Sequence, residues 1–192
     1  MRTMKLFKLL AIIAIIVTSA SSTKAQVGDW TIGLKAGANY ANLHSDAQGL
    51  NDKKGKVGFT AGAFARIGQT VFFQPELNFV HFSNEFQYNG QRHNPKLSQL
   101  NVPLMLGYKL LDQEALALRV SLGPDFSYNL NEPDVFKSGD FKKFNIGGVF
   151  NVGVDIGNIT LDARYSRSFT DLDKRLGQKT GIYSLAVGFK IF

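Results

Sequence analysis

Residues 100–110 read LNVPLMLGYKL and residues 116–130 read LALRVSLGPDFSYNL. In the first stretch the even positions are Leu100, Val102, Leu104, Leu106, Tyr108 and Leu110, and Asn101, Pro103, Met105, Gly107 and Lys109 lie between them. In the second, Leu116, Leu118, Val120, Leu122, Pro124, Phe126, Tyr128 and Leu130 alternate with Ala117, Arg119, Ser121, Gly123, Asp125, Ser127 and Asn129. Side chains alternate faces along a strand, so each stretch has one apolar face and one small or polar face.

The same period extends outward in both directions. It marks segments at 30–43, 57–67, 71–87, 97–110, 115–130, 142–156, 159–169 and 181–192, and no useful stretch has a helical period. The connections alternate in length. Those at 68–70, 111–114 and 157–158 are short, whereas 44–56, 88–96, 131–141 and 170–180 are long and polar. Short turns on one side and long loops on the other are the layout of an up-and-down barrel in an outer membrane. The segments approach or exceed the roughly 9–11 residues that a tilted spanning strand needs.

Alternation alone does not say which face meets lipid. A soluble sandwich or lipocalin-like barrel has its apolar face inside and usually carries Lys, Glu and Thr outside. Here the second face is small, as at Ser121, Gly123, Ser127, Gly147, Asn151 and Gly153. Such residues suit the interior of an eight-stranded barrel, which side chains fill. Trp30, Tyr40, Phe73, Tyr108, Tyr128, Phe144 and Tyr183 stand near segment ends, where interfacial girdles belong. The expected fold is all-β: an eight-stranded antiparallel up-and-down transmembrane β-barrel.

The first 25 residues have the pattern of a cleaved signal peptide. Arg2, Lys5 and Lys8 precede the apolar run LLAIIAIIV, and a small, polar stretch ends Thr23-Lys24-Ala25. The apolar run is too short to span a bilayer, which needs roughly 20 residues. The expected division is residues 1–25 as signal peptide and 26–192 as one barrel domain. Removing the leader's four basic residues from the total of 22 leaves 18 against 15 acidic, net +3 rather than +7. That weakens any case for nucleic acid as a partner. The absence of Cys excludes disulfides, thiolate metal sites and a lipid-modified N-terminal Cys.

Several short pieces carry a family likeness. They are Gly33-Leu34-Lys35-Ala36-Gly37, Phe73-Gln74-Pro75-Glu76-Leu77, Leu100-Asn101-Val102-Pro103-Leu104, Gly123-Pro124 and Ala163-Arg164-Tyr165-Ser166. With them the chain resembles the small outer-membrane β-barrel family common in Bacteroidota, often labelled porin-family or PorT-like. The resemblance implies a cell outer-membrane location, contact with outer-membrane lipid and lipopolysaccharide, and a structural, adhesive or secretion-accessory role. It implies no cofactor. One departure concerns Phe192, which the period puts on the face opposite Phe189 and Ile191.

The residues offer candidates for chemistry in the lumen, on the outward face and in the loops. Lys35, Glu76, Arg119, Asp162 and Arg164 fall on the inward face at mid-depth, with Arg66, Lys109, Asp155 and Lys190 nearer the short turns. Buried charges persist when paired, so the expected state is a network that plugs the lumen, with Glu76 paired to Arg119 or Arg164. The rival use of these charges is a small solute channel. His81 and Ser83, followed by Asn84, resemble a string in outer-membrane lipid A deacylases, which makes an outer-leaflet hydrolase the enzymatic alternative. Glu85 lies on the far side of Ser83, poorly placed to orient His81 as a triad requires. His44, His81 and His93 are scattered, so no metal site is expected. Lys and Asp are interspersed in the long loops, leaving room there for an envelope or extracellular protein partner. The protein is expected to be a non-enzymatic monomer.

Overall fold

The computed structural model describes residues 30–44, 51–55, 57–88, 91–93, 96–113, 115–131, 142–170 and 179–192. The expected signal peptide lies outside these residues. The strands are β1 (Trp30–His44), β2 (Asn51–Gly55), β3 (Val57–Gly68), β4 (Val71–Tyr88) and β5 (Gln91–His93), followed by β6 (Lys96–Asp112), β7 (Leu116–Asn129), β8 (Phe144–Ile156), β9 (Ile159–Ser168) and β10 (Lys179–Lys190). Eight of them form a closed antiparallel ring in the order β4-β3-β1-β10-β9-β8-β7-β6, and β6 returns to β4. Closure leaves no unpaired sheet edge within the ring, which a bilayer would not tolerate.

Burial decides the lipid face. Leu34, Leu106, Leu122 and Leu185 on the apolar rows are 56%, 62%, 64% and 68% exposed, whereas Arg119, Glu76 and Asp162 are 0%, 4% and 5% exposed. A soluble protein has the opposite distribution. An apolar exterior around a polar interior is the arrangement of a membrane barrel. On β1, Trp30 and Tyr40 bracket Ile32, Leu34, Ala36 and Ala38. Their separation matches the roughly 9–11 residues of a tilted span.

The short turns depend on backbone that glycine adopts without strain. Gly68 and Gly157 have φ of 115° and 53°. Gly157-Asn158 joins β8 to β9 with Ile156 opposite Ile159, a two-residue hairpin.

Two expectations are corrected. Residues 44–56 and 88–96 are not simply loops, because β2 and β5 lie within them. β2 prolongs the β3 side of β4, with Gly55 opposite Asn84. β5 prolongs the β6 side, with Phe86 opposite His93. The polar run Asn51-Asp52-Lys53-Lys54-Gly55 has no apolar alternation to announce a strand; the 18-residue β4 templates it. Phe192 is also not on the inner face. The amides of Ile191 and Phe192 both donate to the Ile32 carbonyl, at 2.8 and 3.3 Å, the two-against-one pattern of a β-bulge. The bulge breaks the alternation, and the Phe192 ring packs on Trp30 with centroids 5.6 Å apart.

Candidate functional site

The lumen is the site that the fold builds most thoroughly. Glu76 projects inward from β4 with Gln74 and Asn78 two positions away on either side. Its carboxylate accepts from Arg164 Nη1 and Nη2, both at 2.8 Å, across the barrel from β9. Lys35 Nζ on β1 donates to it at 2.5 Å, Gln74 Nε2 at 2.7 Å and Asn78 Nδ2 at 2.9 Å. The paired fork of Arg164 fixes direction as well as charge.

A second knot lies nearer the short turns. Arg119 Nε donates to Asp155 Oδ1 at 3.0 Å, and its Nη2 lies 2.8 Å from Asp162 Oδ1 and 3.0 Å from Thr160 Oγ1. Arg66 Nη1 reaches the other oxygen of Asp155 at 2.5 Å, and Arg66 Nε donates to Gln74 Oε1 at 2.8 Å. Asn151 joins the two knots. Its Oδ1 accepts from Arg164 Nε at 3.3 Å, and its Nδ2 donates to Asp162 Oδ1 at 2.8 Å. Glycine makes room for this filling: a Cβ on Gly153 would overlap the Arg119 guanidinium, and one on Gly107 would overlap the Phe72 ring.

All five residues expected in the lumen, Lys35, Glu76, Arg119, Asp162 and Arg164, are therefore joined through one network. Glu76 pairs with Arg164 and Lys35, whereas Arg119 pairs with Asp155 and Asp162. Arg66 and Asp155, expected nearer the rim, are buried members. Lys109 stays at the rim with Asp112, at 3.0 Å. Gln74, Asn78 and Thr160 were missed because they carry no charge, yet their inward row was readable from the period, as Asn151's place on it was. Asp125 was missed as well; it is buried and accepts from Asn101 Nδ2 at 3.3 Å.

Toward the loops, the lumen holds cavities of about 20 and 30 Å³. These have room for a water or two. Beside them, Val80, Phe82, Leu97, Ala41 and Ile182 form an apolar cluster. Toward the short turns, a wider vestibule of about 140 Å³ opens beside Arg66, Lys109 and Lys190.

At the loop end the outward surface carries a polar pair. His81 Nδ1 and Ser98 Oγ are 2.9 Å apart across β4 and β6, and the His81 ring lies 5.4 Å from that of Phe59. Ser98 is held from the far side, since its amide donates to Asn131 Oδ1 at 2.7 Å. Ser83 stands opposite Lys96 in the register. The side chains of Ser83 and Glu85 lie outside the described residues. Thus the described hydroxyl beside His81 belongs to a neighbouring strand, which a one-strand reading could not show.

A closed eight-stranded ring with an apolar exterior and an ion-paired interior defines a transmembrane β-barrel. The sequence model of the outer membrane protein beta-barrel domain matches residues 20–174, and the chain belongs to that family. Its location is the outer membrane. No curated protein matches the chain. Among solved structures, the outer membrane protein OprG from Pseudomonas aeruginosa is similar with a TM-score of 0.55 at 12% identity, over 87% of this chain and 98% of that one. Neisserial surface protein A gives a TM-score of 0.54 at 16% identity, over 83% and 97%. Ail, the attachment invasion locus protein of Yersinia pestis, in complex with the heparin analogue sucrose octasulfate, gives 0.51 at 15% identity, over 85% and 99%. At these identities the likeness is one of fold.

Proposed function

We propose that this barrel is a non-enzymatic, non-conducting outer-membrane protein that acts through what it presents outside the membrane. The observation that carries the reading is the Glu76 knot, in which side chains from β1, β4 and β9 meet across the lumen. A carboxylate bound by five donors is a filled interior, and opening a path would strand buried cations. Small solute conduction is thereby disfavoured.

The work then falls to the outer end. β4 is 18 residues long, well beyond the roughly 9–11 that cross the bilayer, and β2 and β5 flank its far end. The result is a short three-stranded wall above the ring, from which backbone and loops meet an envelope or extracellular protein. The PorT-like resemblance adds a secretion-accessory partner to the structural and adhesive roles. Outer-membrane lipid and lipopolysaccharide surround the outward face, and the barrel acts as a monomer.

A second reading is favoured by the 2.9 Å contact between His81 and Ser98. A base hydrogen-bonded to a hydroxyl on the lipid-facing surface is the beginning of a nucleophile pair, here with Ser98 rather than Ser83 as the described hydroxyl. It lacks a described acid to orient the imidazole, and a cross-strand polar pair at the membrane boundary accounts for it without chemistry.

A deletion strain separates the readings. Loss of the barrel should change secretion or envelope sensitivity and leave the lipid A acylation pattern unchanged. An acylation change restored by the wild-type gene, but not by His81→Ala, Ser98→Ala or Ser83→Ala, would replace the first reading with the second.

A further inference from the structure

We propose that the mouth of the barrel on the short-turn side is a binding site for a small oxyanion, a carboxylate or a phosphate. The vestibule there has a volume of about 140 Å³. That is several times the cavities toward the loops, about 20 and 30 Å³, and enough for a group of four or five heavy atoms. Arg66, Lys109 and Lys190 line it, against Asp112 and Asp155.

Charge and hydrogen bonding both point to an anion. Lys109 is matched by Asp112 at 3.0 Å. Asp155 is already divided between Arg66 Nη1 at 2.5 Å and Arg119 Nε at 3.0 Å. Lys190 is left with a long contact of 4.0 Å to the same carboxylate. Its ammonium therefore has protons to give and little negative charge to give them to. Arg66 contributes a second unused donor. Its residue is 4% exposed, and Nη2 has no hydrogen-bond partner although Nε and Nη1 are engaged. A buried donor without an acceptor is costly, and Arg66 is among the residues that line the vestibule.

The guanidinium is also held in place. Arg66 Cζ lies 5.2 Å from the Phe72 ring centroid and 5.6 Å from that of Phe64. Stacking between two faces leaves the planar fork little freedom to lose on binding, which suits recognition of a planar carboxylate or a phosphate edge. Because the mouth lies on the periplasmic side of the barrel, the oxyanion is a periplasmic solute or the free carboxylate of a periplasmic chain.

The full chain, refolded in detergent or in lipid vesicles, tests this by its thermal midpoint at constant ionic strength. Inorganic phosphate replacing chloride should raise the midpoint saturably. Short peptides with a free C-terminal carboxylate, set against the same peptides amidated, distinguish the two sources. A rise with either probe supports the site and names its source. Lys190→Gln, which removes the loosely held charge, should weaken the response by about tenfold or more, the worth of one charge-assisted hydrogen bond. Should a variant fail to fold, a crystal of the wild-type protein soaked in selenate should show its anomalous peak within reach of Arg66 and Lys190. Equal midpoints in phosphate, peptide carboxylate and chloride would overturn the proposal. So would a rise that Lys190→Gln leaves intact, or a selenate peak found elsewhere alone.

Discussion

Glu76 accepts five hydrogen bonds, three of them from cationic groups, within a water-poor interior. Removing the carboxylate leaves Arg164 and Lys35 buried without it. Glu76→Ala should cost on the order of 3–5 kcal/mol in reversible unfolding from vesicles. A loss under about 1 kcal/mol, the scale of an exposed pair, would show that the knot is wet and weak. Gly153→Ala tests the complementary requirement of space. Its new methyl would occupy the place of the Arg119 guanidinium, so a loss of about 1–3 kcal/mol is expected in the same assay. The inward charges were readable from period two, but their partners were not. Arg119 and Arg164 both lie at mid-depth, and only the stagger of strands around the ring brings Arg164 to Glu76 and Arg119 to Asp155 and Asp162. That stagger is set by ring-closing pairings such as Lys35 with Gly188, between residues distant in sequence.

Each strand of the ring presents an apolar row to lipid, and the cost of breaking that row depends on depth. Leu104 lies in the middle of β6, opposite Pro75. Leu104→Arg should destabilise the barrel in a bilayer by about 2–4 kcal/mol. An unfolding free energy unchanged from wild type would place Leu104 outside the hydrocarbon. The connections make a separate prediction. Cys at Lys143 should react with a membrane-impermeant maleimide on intact cells, and Cys at Asn158 should react only after the outer membrane is opened; the reverse pattern would invert the barrel. The strands were legible because alternation persists over ten or more residues, as in β6 and β8. β2 was not, since its Asn, Asp, Lys and Gly are turn residues by composition and pair only because β4 continues beside them. The bulge at Ile191 and Phe192 was equally invisible, because a shared carbonyl leaves no mark on hydrophobic period.

At the scale of the molecule, an eight-stranded ring has a lumen that side chains must fill, and here the filling is charged rather than apolar. The family and the outer-membrane location follow from the pattern of the whole chain. The partner does not, because recognition by a wall and loops depends on surface shape and leaves no spaced motif. A plugged lumen and a conduit differ in what they conduct. Purified wild-type protein reconstituted into a planar bilayer is the most direct test. No steady conductance is expected at either polarity. A stable, ion-selective channel whose conductance changes in Glu76→Ala would contradict it and make the barrel a solute path.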